Sequence, residues 1–224
     1  MIRYESKEAK EIIAKNIAHL MNNTKKPLYV NLGVGIPNLV ANYVKNDNIY
    51  IQGENGMLGV GPIVTEERAI PNLINSGRQP VLETKGCSYF DSSTAFGMIR
   101  NGNIDIAIIG AFEVDGHGNV ANWIVPNGKQ LGVGGAMDLV NGAKTVIISM
   151  RHLDKKGHSK LVEECTLPLT GKGVVDYLVT EYAVFRYIEK SPILFAYNEQ
   201  ITLEELKSIT KFQFKISEKC KTMI

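Results

Sequence analysis

Ile104-Asp105-Ile106-Ala107-Ile108-Ile109 is an almost unbroken apolar run, the length of a strand. Strands of that kind belong in sheets covered on both faces. Lys144-Thr145-Val146-Ile147-Ile148-Ser149 repeats the pattern, and Leu28–Leu32, Ile49–Ile51 and Pro80–Glu83 are shorter versions. Helical periodicity lies between them. Ala9, Ile12, Ile13, Ile17 and Leu20 recur at the spacing of one helix face, which predicts a helix from about Lys7 to Met21. Pro37 opens a second helix through Leu39, Val40, Tyr43 and Val44, and Ser92 or Ser93 caps a third through Phe96, Met98 and Ile99. Strands alternating with helices predict an α/β fold, a mostly parallel sheet flanked by helices. A last capped helix is expected at Thr202–Leu206.

The remaining composition excludes more than it selects. A chain of 224 residues, 44% hydrophobic, fits one domain spanning residues 1–224. The formal net charge of +2 is spread along the chain, so neither a nucleic-acid stripe nor a charged tail is expected. No run is apolar for long enough to span a bilayer, and the first residues carry no apolar signal core, so the expected compartment is the cytoplasm. Cys87, Cys165 and Cys220 are far apart, and His19, His117, His152 and His158 show no ligand spacing, so no metal site is expected.

Glycine is concentrated between residues 33 and 142, largely at the ends of the predicted strands. Ligands of open parallel sheets bind at the carboxyl ends of strands. Glu54 stands there, in Gln52-Gly53-Glu54-Asn55-Gly56 directly after an apolar strand. Flanking glycines permit unusual backbone angles and close approach of a ligand. A tight turn with a solvated glutamate accounts for the same residues, and composition alone does not separate the two.

Larger blocks separate them. Gln52-Gly53-Glu54-Asn55-Gly56-Met57-Leu58-Gly59-Val60-Gly61-Pro62 resembles the active-site signature of the β-type half of family I CoA transferases. Similar blocks follow the same order at Val30–Pro37, Ala121–Pro126, Gly134–Val140, Cys165–Gly171 and Val179–Phe185, covering most of the chain. The resemblance implies a CoA transferase-like fold. It also implies that Glu54 is a covalent nucleophile, carrying CoA as a glutamyl thioester between a short-chain acyl-CoA and a carboxylic acid. Exchanging one thioester for another needs no cofactor: coenzyme A is part of the substrate. Butyrate, acetate and acetoacetate are the expected acids, since Ala121–Pro126 and Gly134–Gly142 are most similar to the butyrate–acetoacetate enzymes; the alternative is one subunit of a succinyl-CoA:3-oxoacid transferase. The amides of Val34 and Gly134, with Gly35 and Gly135 beside them, are the implied oxyanion-hole and CoA-binding groups. Asn31, Asn55 and Asn122 are candidate substrate ligands, with turn and strand-end chemistry as their other reading.

The chain departs from the family pattern at Gly53, where serine is usual, at Val133, where methionine is common, and at Val81–Cys87, where Glu83 and Lys85 form either a changed acyl pocket or a loop salt bridge. It lacks the Gly-Gly-Phe segment of the α-type half. An α subunit is therefore the expected partner, in a heterodimer or an α2β2 assembly. A non-catalytic sugar-phosphate-binding domain of similar fold is the reading from another class, because fold does not fix function.

Overall fold

The computed structural model describes residues 3–125, 129–130 and 132–224. Pro126, the last residue of one block noted above, lies outside them. The principal sheet has ten strands: β1 (Leu28–Leu32), β2 (Ile49–Gly53), β3 (Met57–Ile63), β4 (Val81–Tyr89), β5 (Ile106–Gly110), β6 (Thr145–Ser149), β7 (Tyr177–Val179), β8 (Ala183–Ile188), β9 (Ser191–Tyr197) and β10 (Lys215–Thr222). Their order across the sheet is β10-β9-β8-β7-β6-β5-β1-β2-β3-β4. The middle, from β7 to β2, is wholly parallel. Antiparallel hairpins flank it, β2-β3-β4 on one side and β7-β8-β9 on the other, and β10 returns parallel to β9.

Apolar alternation along the central strands builds two cores. Ala107 and Ile109 of β5 and Val146 and Ile148 of β6 point into one, together with Ile99, Leu139 and Val140 from the helices α3 (Ser92–Arg100) and α4 (Ala136–Gly142). Ile108 and Ile147 point into the other, against Ile13, Ile17 and Met21 of α1 (Ser6–Met21). Successive residues of a strand face opposite ways, so only an apolar run can serve two cores at once. The expected helix through Val44 is shorter: α2 covers Ile36–Val40 and tightens into a 3₁₀ turn over Ala41–Tyr43. The cap of α3 is Asp91, not Ser92 or Ser93; its side chain accepts the Thr94 N–H at 2.8 Å. Thr202 closes the expected capping box with Glu205 on α5 (Leu203–Ile209). Among the described residues, no helix is long and apolar enough to cross a membrane.

The strand order fixes where a ligand fits. From β1 the chain moves to β2 on one side, and later places β5 on the other. The order therefore reverses between β1 and β5, and in such sheets the crevice opens at the carboxyl ends of those strands.

Candidate active site

Gly53 ends β2 and Met57 begins β3, and these two residues pair across the sheet. Glu54, Asn55 and Gly56 are thus a three-residue hairpin loop, closed by the Gly56 N–H donating to Gly53 O at 3.0 Å. Gly56 has φ +117, and a Cβ there would lie 2.0 Å from the carbonyl oxygen of Phe90. No other residue fits, so the loop conformation that presents Glu54 is written into the sequence at Gly56.

The Glu54 carboxylate is half-buried and held through one oxygen. Oε2 accepts from Asn31 Nδ2 at 3.1 Å and from Ser76 Oγ at 2.9 Å. Asn31 is fully buried on β1, opposite Gln52, and its amide also donates to Gln52 Oε1 at 2.6 Å. Oε1 takes no hydrogen bond from another described residue.

Glu54 shares a crevice of about 520 Å³ with both glycine turns, Gly33-Val34 and Gly132-Val133-Gly134-Gly135. Gly110 and Ala111 at the carboxyl end of β5, and Ser149 and Met150 at that of β6, also line it. This is the crevice that the strand order requires. Gly134 has φ +54. A Cβ on Gly135 would meet the Phe96 ring at 2.9 Å and lie 4.0 Å from Glu54 Cγ, so the second glycine turn passes directly over the glutamate. The N–H groups of Val34 and Gly134 carry no hydrogen bond to a described residue.

Four of the expected site residues, Val34, Gly134, Gly135 and Asn122, line the crevice with Glu54, and Asn31 supports it from below. Gly35 caps α2 at the mouth, with φ +93. Asn122 is committed within the chain: its Nδ2 donates to Gly110 O at 3.3 Å and its Oδ1 accepts from Thr170 at 2.7 Å. Asn55 is exposed and donates to Ile74 O at 2.9 Å, tying the hairpin loop to the segment that carries Ser76. Both side chains make the strand-end and turn contacts of their other reading, and Asn122 also lines the crevice. Glu83 forms no salt bridge with Lys85 among the described residues; it accepts the Tyr89 hydroxyl instead.

Three contributors have no counterpart in the sequence reading. Ser76 sits in Asn-Ser-Gly-Arg, where nothing but a turn is legible. Arg151 and Lys160 line the far wall of the crevice. Arg151 Nε pairs with the buried Glu181 carboxylate at 2.6 Å. Lys160 donates to Ala111 O at 2.9 Å, and burial pushes its ammonium pKa down to about 8. A charged residue immediately after an apolar strand was the available signal for Arg151; Lys160 reaches the wall from a loop and gave none.

Comparison with known proteins shows the family and the fold. The family model described as Coenzyme A transferase matches residues 10–208. The chain is 45% identical over 207 residues to one subunit of the succinyl-CoA:3-ketoacid coenzyme A transferase of Helicobacter pylori, covering 92% of this chain and 99% of that one. It is 45% identical over 216 residues to the beta subunit of the acetate CoA-transferase of Haemophilus influenzae, covering 96% and 95%. The fold is also that of an acyl-CoA transferase apoenzyme from Escherichia coli O157:H7, with TM-score 0.75 at 20% identity, across 100% of this chain and 45% of the other.

Proposed function

Because this chain belongs to the coenzyme A transferase family, we propose that it carries the nucleophile of a two-subunit enzyme moving CoA between a short-chain acyl-CoA and a carboxylic acid, through a glutamyl-CoA thioester on Glu54. The observation that carries this reading is the carboxylate itself. It stands on the hairpin loop after β2, one strand from the topological switch point, fixed through Oε2, with Oε1 unengaged, and it lines a crevice together with two glycine turns.

The chemistry runs in two halves. Oε1 attacks the acyl carbonyl carbon and CoA thiolate leaves, giving a mixed anhydride. The thiolate then attacks Glu54 Cδ and expels the acid, leaving the glutamyl thioester. A second acid runs the steps in reverse and departs as its own CoA ester. In the first attack an oxyanion develops on the acyl oxygen. The N–H groups of Val34 and Gly134 are the donors that we assign to it, with Gly35 and Gly135 giving the backbone its close approach; one such donor is worth roughly a hundredfold or more in rate. On the far wall Arg151 is paired with Glu181, so Lys160 is the cation that we assign to the carboxylate of the acid.

The acids that we propose are butyrate or acetate and acetoacetate. The Helicobacter pylori relative bears the name of a succinyl-CoA:3-ketoacid enzyme, which supports that pair as the second reading. The partner is a separate α-type subunit, as the relatives' names, each that of one subunit of a transferase, imply. The test is direct. The complex is incubated with acyl-CoA, reduced with borohydride and digested; the expected mass change is at Glu54, and a change at another carboxylate refutes the assignment.

A further inference from the structure

Two donors converge on one oxygen of Glu54, and the proposed chemistry gives that oxygen a second task. If Oε1 is the attacking atom, it becomes the bridging oxygen of the anhydride. When the thiolate sulfur bonds to Cδ, the π pair of the Cδ=Oε2 bond moves onto Oε2. Collapse of that tetrahedral centre restores Cδ=Oε2, breaks the Cδ–Oε1 bond and sends Oε1 away with the departing acid and its electron pair. Oε2 never leaves Cδ, and it carries the negative charge at every attack on the glutamyl carbon.

We propose that Ser76 Oγ, together with Asn31 Nδ2, forms a second oxyanion hole, dedicated to Oε2 of Glu54 and separate from the backbone donors that face the acyl group. The proposal rests on the glutamyl reading above. The geometry is already in place, at 2.9 Å from Ser76 and 3.1 Å from Asn31. Donors aimed in advance at the atom where charge develops lower the barrier without reorganisation.

Of the two, Ser76 is the more committed. Asn31 Nδ2 has two hydrogens for three acceptors: Gln52 O at 3.2 Å, Gln52 Oε1 at 2.6 Å and Glu54 Oε2. The one hydroxyl proton of Ser76 goes to Glu54 alone.

The segment that carries Ser76 is built to hold it there. The neighbouring Asn75 is buried, and its Oδ1 accepts from the N–H groups of Gly77 at 2.9 Å and Gln79 at 3.0 Å. Arg78 adopts φ +61, an angle that a side chain of its kind takes only when its surroundings impose it, and Asn72 adopts φ +65, which asparagine accommodates. Asn55, next to the glutamate, binds Ile74 O and so fixes the distance between hairpin loop and segment. Gly53 completes the arrangement: a Cβ there would meet Asn55 Oδ1 at 2.6 Å and come within 3.7 Å of Ser76 Oγ. A side chain at position 53 would crowd the residue that ties the segment down. The hydroxyl beside Glu54 comes from position 76 across the loop, and position 53 stays bare.

The experiment uses this chain complexed with its partner subunit, in single-turnover reactions with saturating acyl-CoA, quenched into borohydride and read as the mass change at residue 54. Ser76→Ala is expected to slow thioester formation roughly a hundredfold. The acyl-CoA concentration giving half the maximal rate should stay within about twofold, and the unfolding midpoint should be unchanged. Ser76→Thr, which keeps the hydroxyl, is expected to stay within several-fold of wild type. A Ser76→Ala rate equal to wild type, or a loss confined to the half-saturating concentration, overturns the second hole while leaving Glu54 as nucleophile. A wild-type complex that is never labelled at residue 54 overturns the glutamyl reading, and the hole with it.

Discussion

At the scale of single residues, the site depends on distances that one methylene destroys. Glu54 reaches Ser76, Asn31 and the crevice from a hairpin loop whose backbone Gly56 fixes against Phe90. Glu54→Asp keeps the charge but withdraws the attacking oxygen by roughly an ångström or more, a displacement that costs on the order of a hundredfold in rate. The expected outcome in acyl-CoA exchange assays of the complex is therefore a kcat about two orders of magnitude lower, with folding intact; a wild-type rate would show that the position of the carboxylate does not matter. The place of Glu54 at the strand end was legible, but its glycines and the preceding apolar strand read equally as a solvated turn, and only the resemblance of the surrounding blocks set it apart; the fold puts it in the crevice. Ser76 was not legible: it acts only because the fold returns the chain, 22 positions after Glu54, to the same place. Asn55 and Asn122 were legible as polar groups near strand ends, but nothing in a sequence says whether such an amide faces a ligand or a carbonyl of its own chain.

At the scale of elements, the parallel centre was readable and the far wing was not. The runs at Ile104–Ile109 and Lys144–Ser149 announce strands buried on both faces. The β8-β9 hairpin hides for a local reason: its two-residue turn is Glu189-Lys190, with φ +51 and +61, where Asn-Gly would be expected. Those angles strain a side chain with a Cβ and suit asparagine and glycine. Replacing Glu189→Asn and Lys190→Gly together should raise stability by about 1 kcal/mol, read as a higher unfolding midpoint, with exchange activity unchanged. A lower midpoint would mean that the turn does not strain its residues. His152, just beyond β6, fixes the same wing to the body of the chain. It is fully buried, with Nδ1 3.1 Å from Thr180 Oγ1 and Nε2 3.1 Å from Thr210 Oγ1. Burial pushes its pKa down to about 3. The unfolded chain takes up this proton near pH 6.5 and the folded chain does not, so between roughly pH 6.5 and pH 3 folding stability falls as pH falls, by about 1.4 kcal/mol per unit from this residue. Above pH 6.5 the imidazole is neutral in both states and contributes no slope. Denaturant titrations from pH 7 to pH 4 should show the slope in wild type and lose it in His152→Gln; equal slopes would place the acid sensitivity elsewhere.

At the scale of the whole molecule, the proposed function makes the crevice one part of a site shared with a second subunit. Glu54 follows β2, with β3 and β4 beyond it in the sheet, and exposed apolar side chains adjoin its hairpin loop. Val34 is 64% exposed, Tyr89 57% and Ile74 42%. All three adjoin the Glu54 loop or its crevice: Val34 lines the crevice, Tyr89 pairs with Met57, and the Ile74 carbonyl accepts from Asn55. Under the proposed function, these exposed side chains beside Glu54 are where we expect the partner subunit to pack. A covering chain would also exclude water, and water reaching a glutamyl thioester would hydrolyse it in place of transferring CoA. Two consequences follow for the purified chain alone. Acyl-CoA exchange should be undetectable, because the proposed site is completed by the partner subunit. Any residual reaction at Glu54 should release free CoA by hydrolysis, whether or not an acceptor acid is present. Adding an α-type subunit should restore acceptor-dependent exchange and suppress that release together, at the concentration where sedimentation shows the two chains associating. Transfer at full rate by the isolated chain would mean that the apolar surface around Glu54 serves some other contact, and that this crevice, closed by its own two glycine turns, is a complete active site.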